Sequence, residues 1–305
     1  MEIKNIKYRS HGGIKKTPGE LTFDIINYTI LGILALLCVL PFINMLAVSF
    51  SDSAVVTEGK VGLWPVHFAL NSYIYTFRKP EFLSSFLVSI KRVLLGVTID
   101  MALLIFAAYP LSKSNRQMPG RTYISWIFVV TMFISGGMIP TYLIVSATHL
   151  RNTIWALILP GAVQAWNITI LLNFFRQIPH DLEEASLIDG ASQLNILFRV
   201  YLPLSLPALA TLVLFDAVGH WNDWFSGLIY MNSAKDYPLQ TYLRGILIQP
   251  NFTLVDVTQL QLLSKISNKT YQAAQVIIGT VPILLVYPFL QRYFISGMTL
   301  GSLKG

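Results

Sequence analysis

The sequence predicts an all-α polytopic membrane protein with six transmembrane helices, and three observations carry that reading. Of 305 residues, 54% are hydrophobic and only 12% charged, about half the charge of an ordinary soluble domain. The apolar residues gather into six runs, each near the ~20 residues that cross a bilayer. The polar stretch 1–24, ahead of the first run, carries Lys4, Lys7, Arg9, Lys15 and Lys16, the cationic flank expected on the cytoplasmic side of a membrane.

The runs fall at Ile25–Ser49, Val93–Leu111, Tyr123–Ser146, Ile154–Phe175, Pro203–Tyr230 and Ala273–Phe294. All are expected to be helices, because lipid offers no partner for a backbone polar group and a helix satisfies its own. The first run is too long for the ~7–15-residue core of a cleaved signal, so it reads as an uncleaved span. The net charge of +7 would suggest nucleic acid in a soluble protein. Here it suits basic ends facing an anionic inner leaflet, with no nucleic-acid role. Cys38 is the only cysteine and lies inside an apolar run. It offers neither a disulfide framework nor a thiolate metal site.

An even number of spans puts both ends on one side, and the cations of the N-terminal tail favour the cytoplasm. The short turn Ser112–Gly120, with Lys113 and Arg116 and then Arg121, agrees. The chain thus divides into a cytoplasmic tail 1–24, a transmembrane domain 25–298 with a core of about 82–294, and a cytoplasmic tail 299–305. Ser51–Arg92 and Asn232–Thr270 are longer polar segments. Trp64, Pro65, Tyr73 and Tyr75 suit an interfacial loop in the first. Lys91 and Arg92 are expected just outside the second span, in a surface-lying helix with Phe82, Phe86 and Leu87.

Between the fourth and fifth runs lies IPHDLEEASLIDGASQLNILFRVYLPLSLP, residues 178–207. Pro179 starts a helix whose first turn gathers Asp181, Glu183 and Glu184, where the helix dipole favours negative charge. Leu182, Ala185 and Leu187/Ile188 follow at helical spacing, and Gly190 stops the helix. A second amphipathic stretch runs from Ser192 to Tyr201, and Pro203 and Pro207 open the next span. A short helix, a bend and another helix are thereby held outside the membrane, over residues 177–202.

The spacing of this loop is specific: Glu184-Ala185-Ser186, three residues, Gly190, nine residues, Val200, one residue, Leu202-Pro203. It resembles the EAA motif of ABC importer permeases, with Ser186 for the second alanine and Val200 for isoleucine. FINMLAVSFS (42–51), WPVHFALNSY (64–73), HWNDWFSGLIY (220–230) and QRYFISGMTLGSLKG (291–305) resemble the corresponding stretches of carbohydrate-uptake permeases of the maltose-permease type. ISGGMIPTYL (134–143) resembles a subgroup associated with complex oligosaccharides and polysaccharide fragments. The resemblance implies the type I ABC importer permease fold. It implies an assembly with a second permease subunit, two ATPase subunits and an extracytoplasmic solute-binding protein that delivers an oligosaccharide. In that family the loop seats in a cleft on the ATPase, so Glu183, Glu184, Ala185, Ser186, Asp189, Gly190 and Pro203 become candidate docking residues, with Glu184 and Gly190 foremost. The tail Thr299–Gly305 is expected to reach the ATPase dimer or to fray.

The chain carries no G-x-x-x-x-G-K-[ST] loop, no H-E-x-x-H and no nucleophile elbow, so it is expected to be a transport subunit and not an enzyme. No cofactor or metal is expected on it. ATP and Mg would be bound by the partner ATPase subunits.

Charged groups inside a bilayer are costly and mark candidate sites. Asp216, His220 and Asp223 are spaced i, i+4, i+7, hence on one helical face, with Trp221, Asn222 and Trp224 beside the outer end. Flat aromatic faces beside hydrogen-bonding groups are what sugars bind. This stripe lines the passage or its gate, or it packs against neighbouring helices. Tyr142, Trp155, Trp166 and Asn167 are further candidates, the two tryptophans falling nearly on one face of the fourth span. Asp100 either bonds a basic or amide group on a neighbouring helix or faces the path. Gly136-Gly137 near Pro140 allows a close approach or a bend. Two other functions stay open from the residues alone. An ion-coupled secondary transporter would need internal repeats and coupling carboxylates, for which Asp100 and Asp216 are the obvious acids. A membrane enzyme would need His67, His149 and His180 to cluster with acids.

Overall fold

The computed structural model describes residues 17–248 and 267–302; the five tail cations lie outside them. Helix α1 (Pro18–Ser49) begins at a capping box in which Thr17 and Glu20 satisfy each other's backbone N–H groups. It therefore starts seven residues before the expected Ile25. Most of its apolar surface is exposed, the state in which lipid is the solvent. The segment after it folds as α2 (Ser53–Thr57) and α3 (Asn71–Arg78). Phe50 stacks between Phe68 and Tyr73.

Helix α4 (Pro80–Ser112) is continuous over 33 residues, which corrects the expected surface helix ahead of Val93. The expectation rested on the charge of Arg92. That side chain is buried, but its Nη1 donates to the Asp223 carbonyl at 3.0 Å, and its Nη2 to the Leu157 carbonyl at 3.0 Å and to Asp223 Oδ2 at 2.5 Å. With the charge paired, nothing ends the helix there. It forms the centre of the bundle, packed on α8 (Ala165–Arg176) and α12 (Leu206–Asn222).

Three spans are broken. Helices α5 (Arg121–Phe133) and α6 (Met138–Ala147) meet at 116°, so Tyr123–Ser146 is not one straight crossing. Gly137 sits at φ 80°, ψ −178°, a region essentially restricted to glycine. No neighbouring atom lies within 4 Å of where its Cβ would be. The glycine pair serves a bend and not a close helix approach.

Helix α7 (Ile154–Ile158), extended by a 3₁₀ turn at Leu159–Gly161, meets α8 at 55°. Trp155 and Trp166 therefore stand on two differently aimed helices and do not share a face.

Helices α9 (His180–Ile188), α10 (Gln193–Ile196) and α11 (Leu202–Leu204) form the stretch between the fourth and fifth apolar runs. Residues Gln193–Leu204 meet α12 at 82°. Pro203 lies before that bend, and only Pro207 occupies the first turn of the span. Pro207 has no N–H for the carbonyl four residues back, and its ring collides with it, so the ladder cannot run through from Pro203. The chain closes with α13 (Phe225–Tyr230), α14 (Leu239–Ile248) and α15 (Asn268–Ser302). Helix α15 packs on α1 and α12 and runs past the expected tail start at Thr299; residues 303–305 lie outside the described residues.

Candidate functional sites at the 177–202 segment and in the bundle interior

Helix α9 ends in a complete Schellman motif. Gly190 N–H donates to the Leu187 carbonyl at 3.0 Å and Ala191 N–H to the Ser186 carbonyl at 2.9 Å. The motif needs a left-handed residue after the cap, and Gly190 supplies it at φ 79°. The second leg starts where Ser192 Oγ accepts from Asn195 N–H at 3.3 Å. Ile196 and Leu197 are then fully buried, in the same core cluster as Leu111, Phe175 and Leu212. Burial of such side chains contributes about 1.5–3 kcal/mol each, so the segment is fastened to the spans by its second leg while α9 projects.

Glu183 does not face out with its neighbours. Its Oε1 lies 2.8 Å from Lys113 Nζ, and its Oε2 accepts from Tyr201 OH at 2.7 Å. The Lys113 ammonium is also 4.1 Å from the ring centres of both Tyr109 and Tyr201. Burial raises the Glu183 carboxyl, but the hydrogen bonds from Lys113 and Tyr201 outweigh it and hold the group below its ordinary value. Burial draws Lys113 down as well, against the pull of Glu183. The two partners point opposite ways on whether the charged pair is favoured. The short contact and the second donor on the carboxylate argue for the ionised pair. Glu183 thus braces α9 against the turn after α4 and is withdrawn from the docking set.

Among the other candidates, Glu184, Ala185, Asp189, Gly190 and Pro203 are exposed. Ser186 is half-buried and donates to the Leu182 carbonyl. Leu182, Leu187 and Ile188 add an exposed apolar face, Ile188 being 86% exposed.

Inside the bundle, α4 and α12 carry matching polar stripes. Arg92, Gly96 and Asp100 recur every four residues on α4, opposite Asp223, His220 and Asp216 on or just beyond α12. His220 Nε2 is 2.7 Å from Asp100 Oδ2. Asp216 Oδ1 accepts from Asn167 at 2.9 Å and from Gln164 at 3.4 Å. Asp100 and Asp216 also border a void of about 10 Å³ with Gln164 and Asn167, the size of one water. Asp223 ends α12 and accepts from the Phe225 and Ser226 N–H groups at 2.9 and 3.2 Å, so it caps α13 while holding Arg92.

A cleft of about 320 Å³ opens onto these groups, lined by Arg92, Gln164, Asp216, His220, Asp223 and Tyr230 among others. The structure sorts the sequence candidates accordingly. Asp216, His220 and Asp223 reach the cleft, and Asn167 stands behind Asp216. Trp221 turns away: its Nε1 donates to the Gly279 carbonyl at 3.0 Å, and it packs with Phe82 and Leu239. Trp224 lies under Arg244, whose guanidinium is 3.3 Å from the ring centre. Tyr142 stacks on Tyr230 at 6.3 Å. Asn222, Trp155 and Trp166 are exposed, and neither tryptophan lines the cleft. The sequence reading missed Arg92, Gln164 and Lys113. The four-residue spacing of Arg92, Gly96 and Asp100 is the signal that was available. Among the described residues, no three His, Cys, Asp or Glu side chains are grouped for a metal.

Residues 101–300 match the family described as "Binding-protein-dependent transport system inner membrane component". The polygalacturonan/rhamnogalacturonan transport system permease protein YtcP of Bacillus subtilis (strain 168) is 42% identical over 283 residues, covering 93% of this chain and 98% of that protein. Protein LplC of the same organism is 41% identical, covering 95% of this chain and 97% of that one. Among solved structures, a chain of a bacterial ABC transporter involved in import of the acidic polysaccharide alginate superposes with a TM-score of 0.85 at 32% identity. That match covers 92% of this chain and 99% of the other.

Proposed function

This chain belongs to the family of binding-protein-dependent transport system inner membrane components, and from that premise we propose how it works as a sugar permease. It pairs with a second permease subunit, usually a different chain, to form the path of an oligosaccharide delivered by an extracytoplasmic binding protein. Two ATPase subunits drive the pair and hold the ATP and Mg; the chain itself binds no cofactor. It is a multi-pass protein of the cell membrane with both termini in the cytoplasm, an orientation supported by the Lys and Arg residues of the tail and the 112–121 turn.

The observation that carries the mechanism is the construction of the 177–202 segment. Helix α9 offers Glu184 and an apolar face to a partner, while Glu183, Ile196 and Leu197 tie it to α4 and the bundle. A push on α9 is therefore passed to the spans and not absorbed in a loose loop. The 320 Å³ cleft at Asp216, His220 and Asp223 is the stretch of path this chain supplies. An ion-coupled carrier gains no support from Asp100 and Asp216, since both carboxylates bond within the chain.

In the assembled transporter reconstituted in vesicles, Gly190→Pro removes the N–H that closes the helix and forbids its positive φ. Both ATP-driven uptake and the stimulation of ATP hydrolysis should be lost. Uptake at the wild-type rate with hydrolysis still coupled would overturn the mechanism.

A further inference from the structure

A second cavity, of about 230 Å³, lies beyond the Asp223–Trp224 junction, between α14 and α15. Trp224, Gln240, Leu243, Arg244, Gly279 and Thr280 form its walls. Its size falls below the ~300–1,000 Å³ of drug-sized sites, which suits a single sugar ring.

The walls are fixed from behind. The Trp224 carbonyl accepts from Thr241 Oγ1 at 2.7 Å, and its ring meets Phe225 edge-on at 5.4 Å. Trp221 Nε1 holds the Gly279 carbonyl on the facing helix. Next to Trp224 in sequence, Asp223 is held by Arg92. Arg244 sits over the Trp224 ring, its guanidinium carbon 3.3 Å from the ring centre. That stacking occupies the face of the guanidinium and leaves its edge, with the N–H donors, free to bond. No carboxylate among the described residues is ion-paired with it.

A guanidinium stacked on an indole is fixed in orientation, and its planar fork matches a carboxylate with two parallel hydrogen bonds. Neutral sugar hydroxyls need no such fork. Gln240 and Thr280, whose hydroxyl donates its own proton to the Val276 carbonyl at 2.7 Å, line the same cavity and offer hydrogen-bonding groups to sugar hydroxyls. We infer that this cavity is a subsite for a uronate unit, a sugar ring bearing a carboxylate, with Arg244 as its specificity-determining residue. The inference rests on the sugar-permease reading above and narrows its substrate class to acidic oligosaccharides.

The test is saturation-transfer NMR on the solubilised transporter complex, without its binding protein. It compares trigalacturonate with its fully methyl-esterified form, which keeps the ring and loses the charge. Wild type should bind the acid at least about tenfold more tightly than the ester, the discrimination expected of a bidentate charged contact. Arg244→Gln should erase that preference, and Arg244→Lys, which keeps charge but loses the fork, should reduce it severalfold. The lysine variant also serves if the glutamine variant fails to fold. Equal binding of acid and ester by wild type, or an unchanged preference in either variant, would overturn the inference. A separate measurement of ATP-driven uptake by wild-type vesicles keeps the two readings apart. Vesicles that import no oligosaccharide at all refute the permease reading, whereas uptake together with an unchanged acid preference refutes only the uronate subsite.

Discussion

His220 reaches across Gly96 to place its Nε2 2.7 Å from Asp100 Oδ2, so the smallest residue of α4 makes room for a polar contact between two spans. A Cβ on Gly96 would fall inside the van der Waals shell of the imidazole. We expect Gly96→Val to drive His220 off Asp100 and leave a buried carboxylate without its partner, a cost of about 1–3 kcal/mol or more. A fall in the melting temperature of the solubilised chain checks this, with Gly219→Val as the control, since no neighbour stands within 4 Å of Gly219. Equal effects of the two substitutions would contradict it.

The Arg92–Asp223 pair joins α4 to the break between α12 and α13. Arg92→Met should destabilise by on the order of 2 kcal/mol. That is less than the ~3–5 kcal/mol for breaking a fully buried pair, because the Asp223 side chain is one-third exposed. Adding Asp223→Asn should restore part of the loss. A double-mutant cycle read by denaturation gives the coupling, and additive effects would show that the pair contributes nothing.

Adjacent glutamates should separate into two phenotypes. Glu183→Gln loosens the clamp on Lys113 and Tyr201 and should lower stability. Glu184→Gln is exposed and should leave stability unchanged while weakening ATPase coupling. The pH dependence follows from the depressed Glu183 carboxyl. Its stabilising effect is complete above the unfolded value of about 4.3 and disappears as pH falls through the lower folded value. Wild type should therefore lose its stability advantage over Glu183→Gln on acidification below about pH 4.3. Melting curves between neutral and acid pH decide it, and an advantage that grows on acidification would refute it.

Gly137 holds a backbone region that other residues enter at a cost of about 1–3 kcal/mol. Gly137→Ala should be destabilising by that amount although its Cβ meets nothing, and Gly136→Ala, whose φ is not positive, much less. Comparable melting temperatures for the two would show that the bend does not depend on Gly137.

Much of this architecture was legible in the sequence, because lipid forces backbone groups into helices and long apolar runs are hard to mistake. Gly190 was legible as a stop, since the positive φ it takes is one few other residues tolerate. The breaks at Gly137, at Ala162–Gln164 and before Pro207 were less so, because hydropathy records how apolar a run is and not whether it is straight. Arg92 misled the reading for a related reason. Its charge marks an interface only when unpaired, and its partner Asp223 lies 131 positions away. Glu183 and Glu184 are indistinguishable by type. The positions of Lys113 and Tyr201 decide which of them turns inward.

The unbroken length of α4 has a mechanical consequence. From Arg92 to Ser112 the helix spans about 30 Å at 1.5 Å per residue. One end grips Asp223 beside the cleft, and the other leads into Lys113 and so to Glu183 on α9. A stiff lever of that length, rocked by about 10°, carries its far end roughly 5 Å, comparable to the height of one helical turn. Displacement at the α9 end would thus reach the cleft through one continuous helix, whose only interior proline, Pro110, lies in its last turn.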